Sequence, residues 1–211
     1  MSSEQSSEVA RVFDEWAREG RDEGMAERHG LSARPVLEAL DIAAGDRFVD
    51  LGAGNAWAAS WAQAAGADAF AVDVSAEMLQ RARARETRPG GLVQASFERL
   101  PFADASFAFL FSMEALYYAD DLERALAEAH RVAEPGGRLH ALVDYYEGNP
   151  ESRGWPSKTG VDMHRLSPEA WRTALREAGF ADVGTERVRS EDGEGWRAEH
   201  GSLHVHGVRP G

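Results

Sequence analysis

Two acids and two glycines stand at chemically suggestive spacings: Asp50-Leu-Gly52-Ala53-Gly54, and then Asp73, 21 residues after Gly52. Gly52 and Gly54 let the backbone turn tightly and approach a ligand with no side chain in the way. Asp73 closes the apolar run Ala69-Phe-Ala-Val-Asp73. From a strand end its carboxylate can accept two hydrogen bonds from a ribose diol. The dinucleotide fingerprint asks for a third glycine at the sixth place of G-x-G-x-x-G, and Trp57 occupies it. An indole there keeps a pyrophosphate from the amides at the helix start. A fixed carboxylate at Asp50 suits an ammonium group and repels phosphate.

Residues after this first block extend the pattern. Asp50-x-Gly52-x-Gly54-x-Ala56 is followed by Val72-Asp73-Val74-Ser75-x-x-Met78-Leu79, by Leu100-Pro101-Phe102-x-Asp104-x-Ser106-Phe107, and by Glu134-Pro135-Gly136-Gly137-Arg138-Leu139. Four blocks in this order, within roughly residues 36 to 188, resemble the class I S-adenosylmethionine-dependent methyltransferases, and among them the type-11 branch. The resemblance implies cofactor contacts from Asp50, Gly52, Ala53, Gly54, Asp73, Val74 and Met78. It also implies an adenine pocket lined by Ser96 and Phe97, and Ser112 at the end of the fourth strand beside the cofactor. Three positions depart from the family pattern. Ala56 replaces the third glycine, Ser96 the usual adenine-holding acid, and Ala108 the acid after Ser-Phe.

Past the fourth strand, Ser112-Met-Glu114-Ala-Leu-Tyr117-Tyr118 should run beside the reactive methyl. Glu114 is the candidate to orient an acceptor or act as its base, against the reading of a solvated carboxylate. Tyr117 is the candidate contact for the sulfonium or acceptor, and Tyr118 is expected in the core. His200, His204 and His206 share strand parity, but with no fixed carboxylate nearby in sequence a polar face near the substrate mouth is favoured over a metal site. His130 reads as a surface histidine.

The elements that must position these groups alternate as strand and helix. Strands are expected at 47–51, 69–73, 92–94, 107–112, 138–144, 182–188 and 202–208. Ser75, Asp120 or Asp121, and Ser167 are placed to cap the intervening helices. Leu122, Ala125, Leu126, Ala129 and Val132 form one packing face at helical spacing, and Pro135-Gly-Gly is expected as the turn into the fifth strand. Residues 1–8 are expected to be a disordered tail, and 9–45 a helical cap on a single domain spanning 9–211. A helix is expected from Ser32 to Leu40. The charged, glycine-broken stretch 18–30 reads as a solvated loop. In the family the N-terminal helices fold over the cofactor's methionine end, which makes Trp16, Met25 and His29 candidate lid contacts. Residues 145–166, rich in Gly, Pro and Trp, are long for a connection and emerge on the active face, so they are expected to form a substrate lid.

Composition narrows the partners. The net charge of −13 over 211 residues argues against a nucleic-acid partner. Lys158 is the only lysine beside 22 arginines, which fits either a GC-rich coding bias or adaptation to high salt. There is no cysteine, hence no disulfide or thiolate chemistry. The polar, acidic start is wrong for a secretory signal, and no apolar run approaches a membrane span. A cytoplasmic protein without membrane association is expected, and nothing specifies an oligomeric state.

The fold class expected is α/β: a doubly wound, Rossmann-like, mostly parallel sheet with N-terminal helices. The resemblance implies seven strands with the last antiparallel. It also implies transfer of a methyl group from S-adenosylmethionine to a small-molecule acceptor by in-line displacement, with no metal. The alternative from another class is a non-catalytic S-adenosylmethionine-binding sensor or scaffold. A nicotinamide-dependent oxidoreductase shares only the fold, and Trp57 opposes it.

Overall fold

The computed structural model describes residues 4–189 and 195–211. Seven strands form one sheet: β1 (Arg47–Leu51), β2 (Asp68–Asp73), β3 (Gly91–Gln94), β4 (Phe107–Met113), β5 (Ala133–Val143), β6 (Ala181–Val188) and β7 (Ser202–Val208). Their order is β3-β2-β1-β4-β5-β7-β6, and β7 runs antiparallel to both neighbours. The near-continuous apolar runs of β1 and β4 are the signature of parallel strands covered on both faces. Phe48, Val49 and Leu51 are all fully buried.

Each face carries its own core. On one, α5 (Leu122–Val132) and α7 (Pro168–Glu177) pack Leu126, Ala129 and Trp171 against Leu110 and Leu139. On the other, α2 (Met25–Glu38) and the alanine-rich α3 (Trp57–Ala64) pack Leu37, Ala59 and Ala62 against Phe48 and Phe111. The caps follow the sequence. Ser75 Oγ accepts from Met78 N–H at 3.0 Å at the head of α4 (Ala76–Arg83), and Asp121 from Arg124 N–H at 2.9 Å at the head of α5. Ser167 Oγ accepts from Ala170 N–H at 3.1 Å at the head of α7.

Several expectations change. The first helix, α1 (Glu4–Arg18), starts inside the segment expected to be disordered. Ser6 is buried there, because the helix lies over the sheet's active end. The second helix starts at Met25 rather than Ser32 and carries Pro35 in its interior, so glycine-broken charge concealed a helical first half. Pro135-Gly-Gly is not a turn before β5 but a bulge within it. Pairing begins at Ala133 opposite Phe107 and resumes at Arg138 opposite Phe109, with Gly136 at φ 83° taking up the slack.

The segment 145–166 folds into a 3₁₀ turn (Pro150–Gly154) and the short α6 (Trp155–Thr159). It is tied down by a Tyr146–Leu166 bridge and by the buried Asn149, whose Nδ2 donates to Asp144 O at 3.0 Å. No described helix is long and apolar enough to cross a membrane.

Candidate functional site

The carboxyl ends of β1, β2, β3, β4 and β5 all open on one side, and the strand order reverses between β1 and β4. Ligands of doubly wound sheets bind at that crevice. Here it is a cleft of about 770 Å³, solvent mouth included, lined by Gly52, Ala53, Gly54, Asp73, Val74, Met78, Ser96 and Phe97. These eight expected residues are brought together from four separate segments.

The glycine turn is dictated by its surroundings. Gly52 lies at φ 71°, and a Cβ there would come within 2.2 Å of Ala115 Cβ in the segment after β4. Its N–H and that of Ala53 both donate to Val72 O at 2.9 Å, which ties the turn to β2. Gly54, at φ 54°, has nothing within 4 Å of a built Cβ. It faces open cleft. Ala56, in place of the third glycine, adopts φ 58° as the cap of α3, a left-handed conformation that costs an L-residue roughly 1–2 kcal/mol.

Asp73 sits where the sequence placed it. Oδ2 accepts from Gly54 N–H at 2.7 Å and Oδ1 from Ser75 N–H at 2.8 Å, and the carboxylate keeps acceptor capacity for a ligand. Burial pushes its pKa up to about 6, with the bonds from Ser75 and Gly54 pulling down and Asp14 pushing up. The folded value lies above that of the unfolded chain. This group's contribution to stability is therefore full below about pH 4 and is lost as pH rises through about 6. Hydroxyls donating to the carboxylate favour its ionised form. S-Adenosylhomocysteine affinity should accordingly weaken roughly tenfold per unit as pH falls below about 6. Calorimetric titrations between pH 5 and 8 would show this, and a flat profile would contradict it.

Two expected cofactor residues stand elsewhere. Asp50 is buried behind the turn, where Oδ2 accepts from Ala59 N–H at 3.3 Å. Burial pushes its pKa up to about 7, the Ala59 bond lowers it, and the Asp73 charge adds to the rise. It therefore braces α3 instead of presenting its carboxylate to the cleft. Ser112 is also buried and donates its hydroxyl proton to Leu51 O at 2.8 Å, fastening β4 to β1. Alternation explains the miss at Ser112: its neighbour Met113 takes the cleft-facing position.

The N-terminal helices roof this cleft. Ser6, Val9 and Phe13 of α1 and Met25 and His29 of α2 line it. Polar contacts the sequence did not reveal hold them down. Asp14 Oδ1 accepts from Ser75 Oγ at 2.6 Å and Glu77 N–H at 3.1 Å, and Asp22 meets Arg81 at 3.1 Å and Asn55 Nδ2 at 3.1 Å. Met25 and His29 thus line this cleft, while Trp16 faces a neighbouring space.

That space is a second cleft, lined among others by Trp16, Tyr117, Asp144, Trp155 and Arg197. Phe13, Met25, His29, Glu114 and Tyr118 line both. Glu114 holds φ 56°, strain for a non-glycine residue. Its Oε2 accepts from Tyr117 OH at 2.8 Å, and its Oε1 accepts from Asp144 N–H. Burial raises the Glu114 pKa well above the carboxylate range, and the Asp144 charge raises it further. Tyr117 lines only the second cleft. Tyr118 lies in the core as expected and also borders both clefts, with Phe13 edge-on at 5.3 Å.

The histidines divide. His204 Nε2 lies 3.0 Å from His140 Nδ1 and its Nδ1 lies 2.9 Å from Glu186 Oε1, with the His206 ring beside them. The backbone carbonyl of His200 instead accepts from Tyr146 OH at 3.0 Å. Among the described residues no group of three or more such side chains is arranged to hold a metal ion.

A seven-stranded sheet ending antiparallel, with a glycine turn and strand-end acid at its switch point, defines the S-adenosylmethionine-binding α/β class. The chain belongs to the S-adenosylmethionine-dependent methyltransferases. Residues 49–141 match the type-11 family described as "Methyltransferase domain". A chain from the complex between the Haloferax volcanii Trm112 methyltransferase activator and a candidate methyltransferase is 34% identical. The match covers 94% of this chain and 98% of that one, with a TM-score of 0.87. An S-adenosylmethionine-dependent methyltransferase from Mesorhizobium loti is 26% identical over 84% of this chain and 98% of that one, at a TM-score of 0.72.

Among curated proteins, the malonyl-[acyl-carrier protein] O-methyltransferase of Erwinia billingiae is 40% identical over 45% of this chain and 38% of its own length. That of Pectobacterium atrosepticum is 32% identical over 77% and 64%. The chain spans between about two fifths and two thirds of the length of these two relatives.

Proposed function

We propose that this protein transfers a methyl group from S-adenosylmethionine, held in the first cleft, to a small molecule held in the second. The observation that carries this is the shared wall. Phe13, Met25, His29, Glu114 and Tyr118 border both clefts, so a cofactor in one and an acceptor in the other would meet there.

The first cleft suits the cofactor's parts. Asp73 offers its carboxylate to a ribose diol, Gly54 leaves room for a close backbone approach, and Val74, Met78 and Phe97 give apolar walls for a base. Bound S-adenosylmethionine supplies a methyl already activated by its sulfonium. The chain's task is then positioning and exclusion of water, which the α1–α2 roof serves. With a net charge of −13, a small acceptor is favoured over a nucleic acid. We place the protein in the cytoplasm.

Melting the purified protein with S-adenosylmethionine, S-adenosylhomocysteine and NAD, at low and molar salt, tests the cofactor assignment. A ligand at a hundred times its Kd should add about 2.7 kcal/mol, and a shift is expected with the two sulfur ligands only. A shift with NAD alone would overturn the assignment.

A second reading concerns a partner. The Haloferax volcanii relative, matched over almost its whole length, is found with an activator protein. We infer that a Trm112-type activator supports this chain as well. Co-expression with that activator should raise soluble yield and melting temperature; no co-purification would contradict it.

A further inference from the structure

The floor of the second cleft carries the chemistry of an amine site. Asp144 is 1% exposed, yet its Oδ1 has no hydrogen-bond partner among the described residues, and the residue lines the cleft. Beside it stands Glu114, whose Oε1 receives the Asp144 amide. Two buried acids this close, one with an oxygen that no protein donor reaches, make a place where a cation is stabilised. The cleft's own cations do not fill that place. Arg197 comes nearest at the other oxygen, Oδ2, 3.9 Å away, and the Ser202 side chain also hydrogen-bonds the carboxylate. Arg21 is half-exposed and lies on the Trp16 ring at 4.1 Å, and Lys158 is exposed. The walls around the acids are aromatic: Trp16, Tyr117, Tyr118 and Trp155. Acids on the floor with aromatic faces around them are what an alkylammonium group binds.

We propose that the methyl acceptor is an amine on an aromatic or apolar body, its nitrogen held by Asp144 Oδ1 and Glu114; this rests on the methyltransferase function proposed above. The acceptor enters as an ammonium ion and gives one proton to the carboxylate pair. The freed nitrogen lone pair then forms a bond to the methyl carbon as the carbon–sulfur bond breaks, and that bonding pair stays on sulfur. The product is an N-methylated ammonium and neutral S-adenosylhomocysteine, and the proton leaves the carboxylates for solvent. His29, at the junction and flanked by Arg28 and Arg197, is pushed down to about 4 by burial and those charges, so it stays neutral beside the ammonium.

Calorimetric titration of S-adenosylhomocysteine-saturated protein with 2-phenylethylamine, and with 3-phenylpropanoate of similar size, tests this. The amine should bind and the carboxylate should not. Asp144→Asn should weaken amine binding at least tenfold while leaving S-adenosylhomocysteine binding within about twofold. With S-adenosylmethionine, mass spectrometry should detect N-methyl-2-phenylethylamine. Tighter binding of 3-phenylpropanoate than of the amine, or amine binding indifferent to Asp144→Asn, would overturn the inference. The wild-type comparison stands even where the variant fails to fold. S-Adenosylhomocysteine binding without amine binding defeats the acceptor class alone, whereas loss of both defeats the parent function too.

Discussion

Asp73→Ala is expected to abolish the melting shift that S-adenosylhomocysteine gives the wild-type protein while changing the ligand-free melting temperature little. Two effects on the free protein oppose each other. The substitution strands the amides of Gly54 and Ser75, which now donate to the carboxylate at 2.7 and 2.8 Å. Each stranded group costs about 1–3 kcal/mol where water cannot reach it. The same substitution also removes a buried carboxylate that burial holds near a pKa of about 6, so its ionisation at neutral pH no longer opposes folding. The ligand has no such compensation. It loses two hydrogen bonds to a charged group, each contributing about 1.5–3 kcal/mol, which is a fall in affinity of roughly 100-fold or more. Differential scanning fluorimetry at saturating ligand shows both parts at once. An undiminished shift in the variant would remove Asp73 from the site.

Gly52→Ala should be severely damaging for a change of one methyl group. The new Cβ would lie 2.2 Å from Ala115 Cβ, at φ 71°. Overlap of that size forces the backbone after β4 to move, and overpacking costs about 1–3 kcal/mol. The left-handed conformation adds about 1–2 kcal/mol for any residue with a Cβ. A loss of roughly 2–5 kcal/mol follows, on the order of 5–15 °C in Tm for a domain of this size. Ligand binding should go with it, because Met113, Glu114 and Ala115 form the cleft floor. Gly54→Ala is the control. With nothing within 4 Å of its Cβ, only the conformational cost of about 1–2 kcal/mol applies. Its methyl would instead project into the ligand's space, so binding should fall with little loss of fold. Equal melting temperatures for Gly52→Ala and the wild type would contradict this geometry.

Much of this site was legible in the sequence because it is local. Strand, glycine turn and strand-end acid lie within about 26 residues, and the pattern of small residues and carboxylate spacing encodes their conformation directly. The capping residues Ser75, Asp121 and Ser167 act on amides three residues on, which is equally local. Contacts across long stretches of sequence were not legible. The roof depends on Asp14 meeting Ser75 and Asp22 meeting Arg81, pairs about 60 residues apart whose members look like ordinary surface charges.

Asp50 and Ser112 mislead for a related reason. Each has the right chemistry at the end of a strand, but the period-two alternation of strand side chains turns one toward α3 and the other toward β1. Tyr118 reaches both clefts as well as the core because a short 3₁₀ turn, Leu116–Tyr118, sets the direction of its ring, and such a turn leaves no signature in a Leu-Tyr-Tyr run. Asp144 was visible only as the last residue of a strand. Its importance comes from an unpaired oxygen that only the packed structure reveals.

The most direct test of the central proposal follows label from methyl-labelled S-adenosylmethionine into a deproteinised small-molecule cell extract, with and without a Trm112-type activator. Label should move into small molecules at a saturable rate that Asp73→Ala abolishes. Label that stays on the cofactor under both conditions, or moves only into added RNA or protein, would contradict it.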